Sequence, residues 1–180
     1  MVSGATKFAN FGEFPMTTTG LPSYTTEGLI YAKYIARSRP NAKIAILYQN
    51  DDLGRDFVSA FKSYLKGDFD RKVVASSYAV SEPTIESHVV SLKSSGAEAF
   101  LFAGTPKFAA QAIKKADEIA WKPLFLINVV STSVASTIVP AGPEKAVGIV
   151  AATFLKDPGD KKWADDSGMK WYRGHFAKYL

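Results

Sequence analysis

The chain has 180 residues, of which 47% are apolar and 22% are charged, a composition typical of one globular domain and unlike that of a disordered chain. No apolar run approaches the roughly 20 residues that a membrane helix needs. The net charge is +5, with Lys and Arg scattered beside Asp and Glu, which favours a solvated surface over nucleic-acid binding.

The chain contains no cysteine, which excludes disulfides, thiolate metal sites and cysteine nucleophiles. Its first residues lack a basic region followed by an apolar core, so they do not predict a signal peptide. Two interpretations remain open at this point: a cytosolic protein, or a piece of a longer one.

The first helix is predicted after a lead-in of about twenty residues that has no clear period, although 14–19 could form a short edge strand. The sequence Leu-Pro-Ser at 21–23 interrupts regular structure. A helix start is then predicted from Ser23, Thr26 and Glu27. The helix ends before Pro40. Its apolar stripe consists of Gly28, Tyr31, Ala32 and Ile35.

The stretch 43–57, KIAILYQNDDLGRDF, predicts the central part of the fold. Its apolar run at 44–47 is too short for a helix and fits a strand buried on both faces. A polar turn at 49–54 then leads into a helix with apolar residues at helical spacing, Phe57, Ala60, Phe61 and Tyr64. Strand, turn and helix form the first half of a parallel β-α-β unit.

The same unit recurs along the chain. A second strand is predicted at 72–80, followed by a helix that carries Ile85, His88, Val89 and Leu92 and ends at Gly96. A third strand at 97–103 precedes a helix with Pro106 near its first position. A fourth strand is predicted at 124–129, with a small-residue loop or short helix at 131–136.

The last predicted elements are a fifth strand at 147–154, a polar loop at 157–168 and a final helix. The apolar stripe of that helix consists of Met169, Tyr172, Phe176 and Leu180. Strands that alternate with helices of this length predict an α/β fold, a three-layer α/β/α lobe with a mainly parallel, doubly wound sheet.

An acidic pair, Asp51 and Asp52, follows the first strand and raises the possibility of a metal or phosphoacceptor site. A phosphoacceptor domain also needs an Asp at the end of the third strand, and 102–104 offers none. The alternative is that one of the pair caps the following helix and interacts with its positive end.

Other catalytic patterns are weak. The turn QNDDLG has one glycine, too few for a nucleotide loop. His88 and His175 fit packed or surface positions, and Ser131, Thr132, Ser133 and Ser136 lack a nucleophile elbow. No enzymatic activity, cofactor or metal is therefore predicted.

Polar side chains follow three of the predicted strands. Because the carboxyl ends of parallel strands meet at one sheet edge, Thr105, Lys107, Asn128 and Ser131 should lie near Asp51. Mixed polar groups beside helix N-termini suit a small polar ligand. The sequence thus predicts a solute site at this edge.

Five segments also carry a family resemblance: PSYTTEGLIYAKYI, AKIAILYQNDDLGRDF, GTPKFAAQAIKKADEIAWKP, VVSTSVASTIVPAG and GIVAATFLKDPGDKKW. In this order they resemble the second lobe of periplasmic solute-binding proteins of the branched-chain amino-acid ABC transporter family. The resemblance implies a type I periplasmic binding fold, with 1–20 as a lead-in after a hinge crossing and 21–180 as one lobe of a two-lobed protein.

The resemblance further implies a periplasmic, non-catalytic protein that closes over a small organic solute and delivers it to membrane permease subunits. An isolated lobe would bind its solute weakly and would tend to self-associate. The lobe's half of the cleft would comprise Asn50, Asp51, Leu53, Gly54, Thr105, Lys107, Asn128, Val129 and Ser131. A stand-alone flavodoxin-like regulatory or enzymatic domain is the alternative.

The sequence departs from the family at two positions. Amino-acid-binding members place an aromatic residue where Leu53 stands and a carboxylate near Asn128 or Val129. This sequence has neither residue, so the expected solute is uncharged or anionic, such as an amide or an aromatic or short-chain carboxylic acid. The alternative is that Asp51 or Asp52 replaces the missing acid.

Overall fold

The computed structural model describes residues 3–179 and contains four strands and seven helices within them. The strands are β1 Ile44–Gln49, β2 Val73–Tyr78, β3 Ala99–Ala103 and β4 Leu124–Ile127. The helices are α1 Tyr24–Ser38, α2 Asp52–Leu65, α3 Phe69–Lys72, α4 Glu86–Ser94, α5 Pro106–Glu118, α6 Val139–Ala141 and α7 Ser167–Tyr179. Single helical turns occur at Thr6–Ala9, Lys66–Asp68, Val129–Ser131, Val134–Ile138, Pro143–Ala146 and Lys161–Trp163.

The four strands form one parallel sheet in the order β2-β1-β3-β4. The central position of β1 is as predicted, with Ile44 opposite Val73 on one side and Ala99 on the other. Successive strand residues point to opposite sides of the sheet, and in β1 both sides are apolar. Helices therefore cover both faces. The α/β, doubly wound class is therefore confirmed.

The two faces have separate cores. On one face, Ala45 and Leu47 pack with residues of α4 and α5. On the other, Ile44 and Ile46 pack with residues of α1 and α2. The predicted stripe of α1 is fully buried in this second core, since Gly28, Tyr31, Ala32 and Ile35 all face inward.

Two predicted helix boundaries are confirmed. Pro106 is the first residue of α5, where its missing N–H costs nothing. Gly96 follows α4 at a φ of +75°, a left-handed conformation that glycine adopts without strain.

The predicted fifth strand is wrong. Of residues 147–154, only Val150 pairs with β4, through Val150 N–H to Phe125 O at 2.9 Å and Ile127 N–H to Val150 O at 3.0 Å. The ladder ends there because the N–H of Ala152 donates to the hydroxyl of Tyr31 instead, at 2.8 Å.

The lead-in also differs from the prediction. The segment 14–19 contains one turn, at 15–16, and no strand; local bonds such as Phe14 N–H to Asn10 O, at 2.9 Å, take part of its backbone. The lead-in packs against the rest of the chain, since Ala5 is buried in the α1–α2 core. Thr6 N–H also donates to Asp56 Oδ2 at 2.7 Å.

The final helix is present, and Met169 is its one buried residue within the described part of the chain. Leu180, the last residue of its predicted stripe, lies outside the described residues. Within 3–179, no helix is both long and apolar enough to cross a membrane.

Candidate functional site

The candidate site lies at the carboxyl ends of the strands, where the sheet topology opens a crevice. The chain leaves β1 toward β2 on one side and leaves β3 toward β4 on the other. Ligands of doubly wound sheets bind at such a switch point, here between β1 and β3. The turns that meet there are 50–54 and 104–107.

The first turn is organised by Asp51, which is the N-cap of α2. Its Oδ1 accepts the N–H of Gly54 at 3.2 Å, and its Oδ2 accepts Gln49 Nε2–H at 2.6 Å. The prediction that one acid of the pair caps the helix is confirmed. Asp52 forms an ion pair with Lys7 instead, so the two carboxylates have separate partners.

Two further predicted residues of this turn have structural partners. The Oδ1 of Asn50 accepts a hydrogen bond from Arg55 at 3.0 Å on the surface. Gly54 approaches β1 so closely that a Cβ would overlap Gln49 O and would lie 2.9 Å from Gln49 N. Gly54 is therefore needed for the close contact between helix and strand.

A buried polar cluster that the sequence did not predict lies beneath the crevice. The Oε1 of Gln49 accepts hydrogen bonds from the Tyr78 hydroxyl at 3.2 Å and from the Thr105 hydroxyl at 3.0 Å. Burial raises the pKa of Tyr78 well above its usual range, so this hydroxyl remains neutral. The cluster joins the ends of β1 and β2 to the start of α5.

The end of β4 is bonded to the same turn. The N–H of Gly104 donates to Asn128 Oδ1 at 3.2 Å, and the Ser131 hydroxyl donates to Gly104 O at 2.8 Å. Asn128 and Ser131 are both completely buried. The three predicted turns thus come together through two sets of hydrogen bonds that meet at the neighbouring residues Gly104 and Thr105.

The predicted site residues differ in accessibility. Lys107 is exposed, whereas Thr105 and Val129 are half-buried. Leu53 is 7% exposed and packs in the α1–α2 core, not toward the crevice. The direct contact of Leu53 or Asn128 with a solute remains a prediction that would require a change in their packing.

Glu27, which the sequence placed only at the start of a helix, also has a role in the structure near this site. It is 6% exposed, and its Oε1 lies 2.9 Å from the Tyr31 hydroxyl oxygen and accepts Val129 N–H at 2.7 Å. Burial raises the pKa of Glu27 to about 7. It lines a cavity of about 100 Å³ whose wall also includes Ile30, Val129 and Phe154.

His88 has partners that the sequence did not indicate. Ser76 Oγ lies 2.8 Å from His88 Nδ1, and His88 Nε2 lies 3.0 Å from Glu82 Oε2. His88 is therefore packed between a strand residue and an acidic side chain. Ser76 nevertheless lies within edge strand β2 and not on a strand-to-helix turn that would expose a nucleophile.

The remaining histidine, His175, is exposed on α7. Its ring lies between those of Trp171 and Tyr179, at centroid distances of 4.7 and 5.0 Å. Among the described residues, no group of three or more His, Asp or Glu side chains could hold a metal ion.

Family comparison decides the class of protein to which this site belongs. The profile of the periplasmic binding proteins matches residues 2–178, nearly the whole chain. The chain belongs to the periplasmic binding protein family. This membership favours a solute-binding role over a flavodoxin-like domain.

Solved structures show the same fold for this periplasmic binding protein. A possible leucine/isoleucine/valine-binding protein from Rhodopirellula baltica superposes with a TM-score of 0.80 at 18% identity, covering 98% of this chain and 47% of that chain. A branched-chain amino-acid ABC transporter structure from Thermus thermophilus, with bound valine, gives 0.80 at 18%, covering 98% and 45%.

A third match is a substrate-binding periplasmic protein from Ralstonia solanacearum, with a TM-score of 0.80, 20% identity and coverage of 97% and 48%. This periplasmic binding protein therefore spans about half the length of the structures that it matches. No curated protein matches its sequence.

Proposed function

We propose that this chain is the second lobe of an extracytoplasmic solute-binding protein that serves an ABC importer. The observation that carries the proposal is the convergence of three hydrogen-bonded turns, 50–54, 104–107 and 128–131, at the switch point of a periplasmic binding fold. A two-lobed protein would close over the solute there and would then dock on permease subunits from the periplasmic side.

The accessible groups favour a solute with acceptor oxygens. Lys107 is the exposed cation at the N-terminus of α5, where the helix dipole also favours negative charge. Both acids of the first turn already have partners: Asp51 caps α2, and Asp52 forms an ion pair with Lys7. These contacts support an anionic or neutral solute, such as a carboxylic acid or an amide.

A titration followed by amide NMR spectra tests this function on the chain itself. Because half of a cleft supplies only part of the contacts, we expect weak but saturable binding of carboxylic acids or amides, with shifts in the three turns. Lys107→Ala should weaken the binding of an acid, whereas Lys114→Ala, an exposed lysine later on α5, should not. Shifts confined to other surfaces would contradict the proposal.

The surface of the lobe supports self-association. Trp171 and Phe176 on α7 are 67% and 52% exposed, and Leu155 is 68% exposed. Exposed apolar groups of this size commonly mark surfaces that meet another chain. Sedimentation velocity should show concentration-dependent dimers that are weakened in Trp171→Ser; a monomer at all concentrations would contradict this.

A further inference from the structure

The buried pair Glu27 and Tyr31 links three segments that are distant in sequence. Both residues belong to α1, one turn apart, and both are almost inaccessible to water. Glu27 Oε1 accepts the N–H of Val129, just beyond β4, and the Tyr31 hydroxyl accepts the N–H of Ala152. The pair therefore fixes the end of β4 and the segment beyond Val150 against α1.

If Glu27 were ionised, the groups around this pair would have fewer donor hydrogens than hydrogen-bond contacts. Four contacts are present: Val129 N to Glu27 Oε1 at 2.7 Å, Tyr31 Oη to Glu27 Oε1 at 2.9 Å, Tyr31 Oη to Ile127 O at 2.7 Å and Ala152 N to Tyr31 Oη at 2.8 Å. With a carboxylate, only three hydrogens are available, one each from Val129, Ala152 and Tyr31.

A fourth hydrogen, on the carboxyl group, satisfies every contact. If Glu27 Oε1–H donates to Tyr31 Oη, the Tyr31 hydroxyl is free to donate to Ile127 O. Tyr31 Oη then accepts from Glu27 and Ala152, and Glu27 Oε1 still accepts from Val129. Buried polar groups are rarely left without a partner, so this arrangement is the favoured one.

Within residues 3–179, the groups that contact Glu27 and the cavity wall beside it include no cation that would hold it ionised. The one titratable group in hydrogen-bond contact with it, among the described residues, is Tyr31. Besides Glu27, the cavity wall consists of uncharged residues: Pro22, Thr26, Ile30, Val129, Ala152, Thr153 and Phe154. A carboxylate here would lose its hydration without gaining a cation.

We infer that Glu27 carries a proton in the folded lobe, donates a hydrogen bond to the Tyr31 hydroxyl oxygen, and in this form is the positioning residue for the loop 128–131. Ionisation of Glu27 removes one of the four hydrogens. The single Tyr31 hydroxyl hydrogen can then bond either Glu27 or Ile127 O, and one of the two contacts is lost. The end of β4 is then held by fewer bonds. A pKa of about 7 for Glu27, raised by burial, places this change near neutral pH.

The consequence for solute binding rests on the proposed function, because it requires the loop 128–131 to form part of the cleft. A neutral Glu27 also offers no counter-charge for a cationic solute. The proton itself does not depend on that function, and the two can be tested separately.

Carbon-detected NMR of the unliganded chain from about pH 3 to about pH 9 tests the proton directly. We expect the Glu27 carboxyl carbon to titrate near pH 7 and the Val129 and Ala152 amides to shift with the same midpoint. In Glu27→Gln, which cannot ionise, the amide titration should disappear. Glu144→Gln, the same change at an exposed position, should leave it intact.

A carboxyl carbon that titrates near the ordinary value of 4.5, with amides that do not move between pH 5 and pH 9, would overturn the inference. If Glu27→Gln does not fold, the titration of the unaltered chain still decides. Absence of solute-induced shifts at every pH would contradict the proposed function and not the proton.

Discussion

The hydroxyl of Tyr78 occupies the space where a side chain on residue 104 would lie, so Gly104 and Tyr78 fit together only because Gly104 has no Cβ. Tyr78 cannot easily move, since its ring packs against Phe102 and Phe108 at centroid distances of 6.0 and 4.7 Å. This contact brings the end of β2 to the turn after β3, across the strand that lies between them.

Gly104→Ala is expected to destabilise the lobe by about 1–3 kcal/mol, because the added methyl group overlaps a buried hydroxyl. Urea denaturation measures the change. Adding Tyr78→Phe should recover part of the loss, giving a coupling energy in a double-mutant cycle. Gly174→Ala, where a Cβ meets nothing within 4 Å, should not destabilise; equal losses at the two glycines would contradict the proposed overlap.

Asp51→Ala should lower the free energy of unfolding by about 1 kcal/mol, since α2 loses its N-cap. Asp51→Asn should lose less, because Asn also caps helices. Asp70→Ala, at an exposed position, serves as the control. If Asp51→Ala is as stable as the unaltered chain but no longer binds solute, Asp51 acts as a ligand and not as a cap.

Glu27 should make the lobe less stable as pH rises toward neutrality. Its pKa is 4.5 when it is exposed and about 7 in the fold, so between these values the folded chain holds a proton that the unfolded chain has lost. The stability from this group is complete below about pH 4.5 and declines by about 3 kcal/mol as pH rises through 7.

The measurement is urea denaturation at several pH values for the unaltered chain and for Glu27→Gln. The difference between the two should change across this range, because the variant lacks the titrating group. A constant difference between the two curves would show that Glu27 ionises alike in the folded and unfolded chains.

The Ser76–His88–Glu82 contact is expected to be structural. A fluorophosphonate probe, which labels activated serines, should not modify Ser76, because that residue lies inside edge strand β2. His88→Ala should instead destabilise the lobe by about 1 kcal/mol, with exposed His175→Ala as control. Labelling that disappears in Ser76→Ala would establish a reactive serine.

A two-lobed protein that carries this lobe should not select leucine, isoleucine or valine. Glu27, the carboxyl group bonded to Val129, is protonated below its pKa of about 7. A buried ammonium without an ionised carboxylate loses about 2–3 kcal/mol, a factor of about 30–150 in affinity. Thermal-shift screening should give larger shifts with carboxylic acids or amides. A strong shift with the three amino acids alone would refute this selectivity.

The sequence by itself determined the class of fold and the edge at which the candidate site lies. Apolar runs such as 44–47 and stripes such as Phe57, Ala60 and Phe61 depend on the local period of strand or helix. Once they alternate, the parallel sheet and its carboxyl edge follow. The cap at Asp51 was also predictable, because it involves residues three positions apart.

Only the tertiary structure decided which side chains meet at that edge. Glu27 and Val129 are 102 positions apart, and Tyr78 contacts Gln49 across 29 positions. No local period reports such pairs, since they depend on how helices and strands pack. The fifth strand failed for the same reason: its apolar residues suit a strand, but the distant Tyr31 hydroxyl takes the N–H of Ala152 that would continue the ladder.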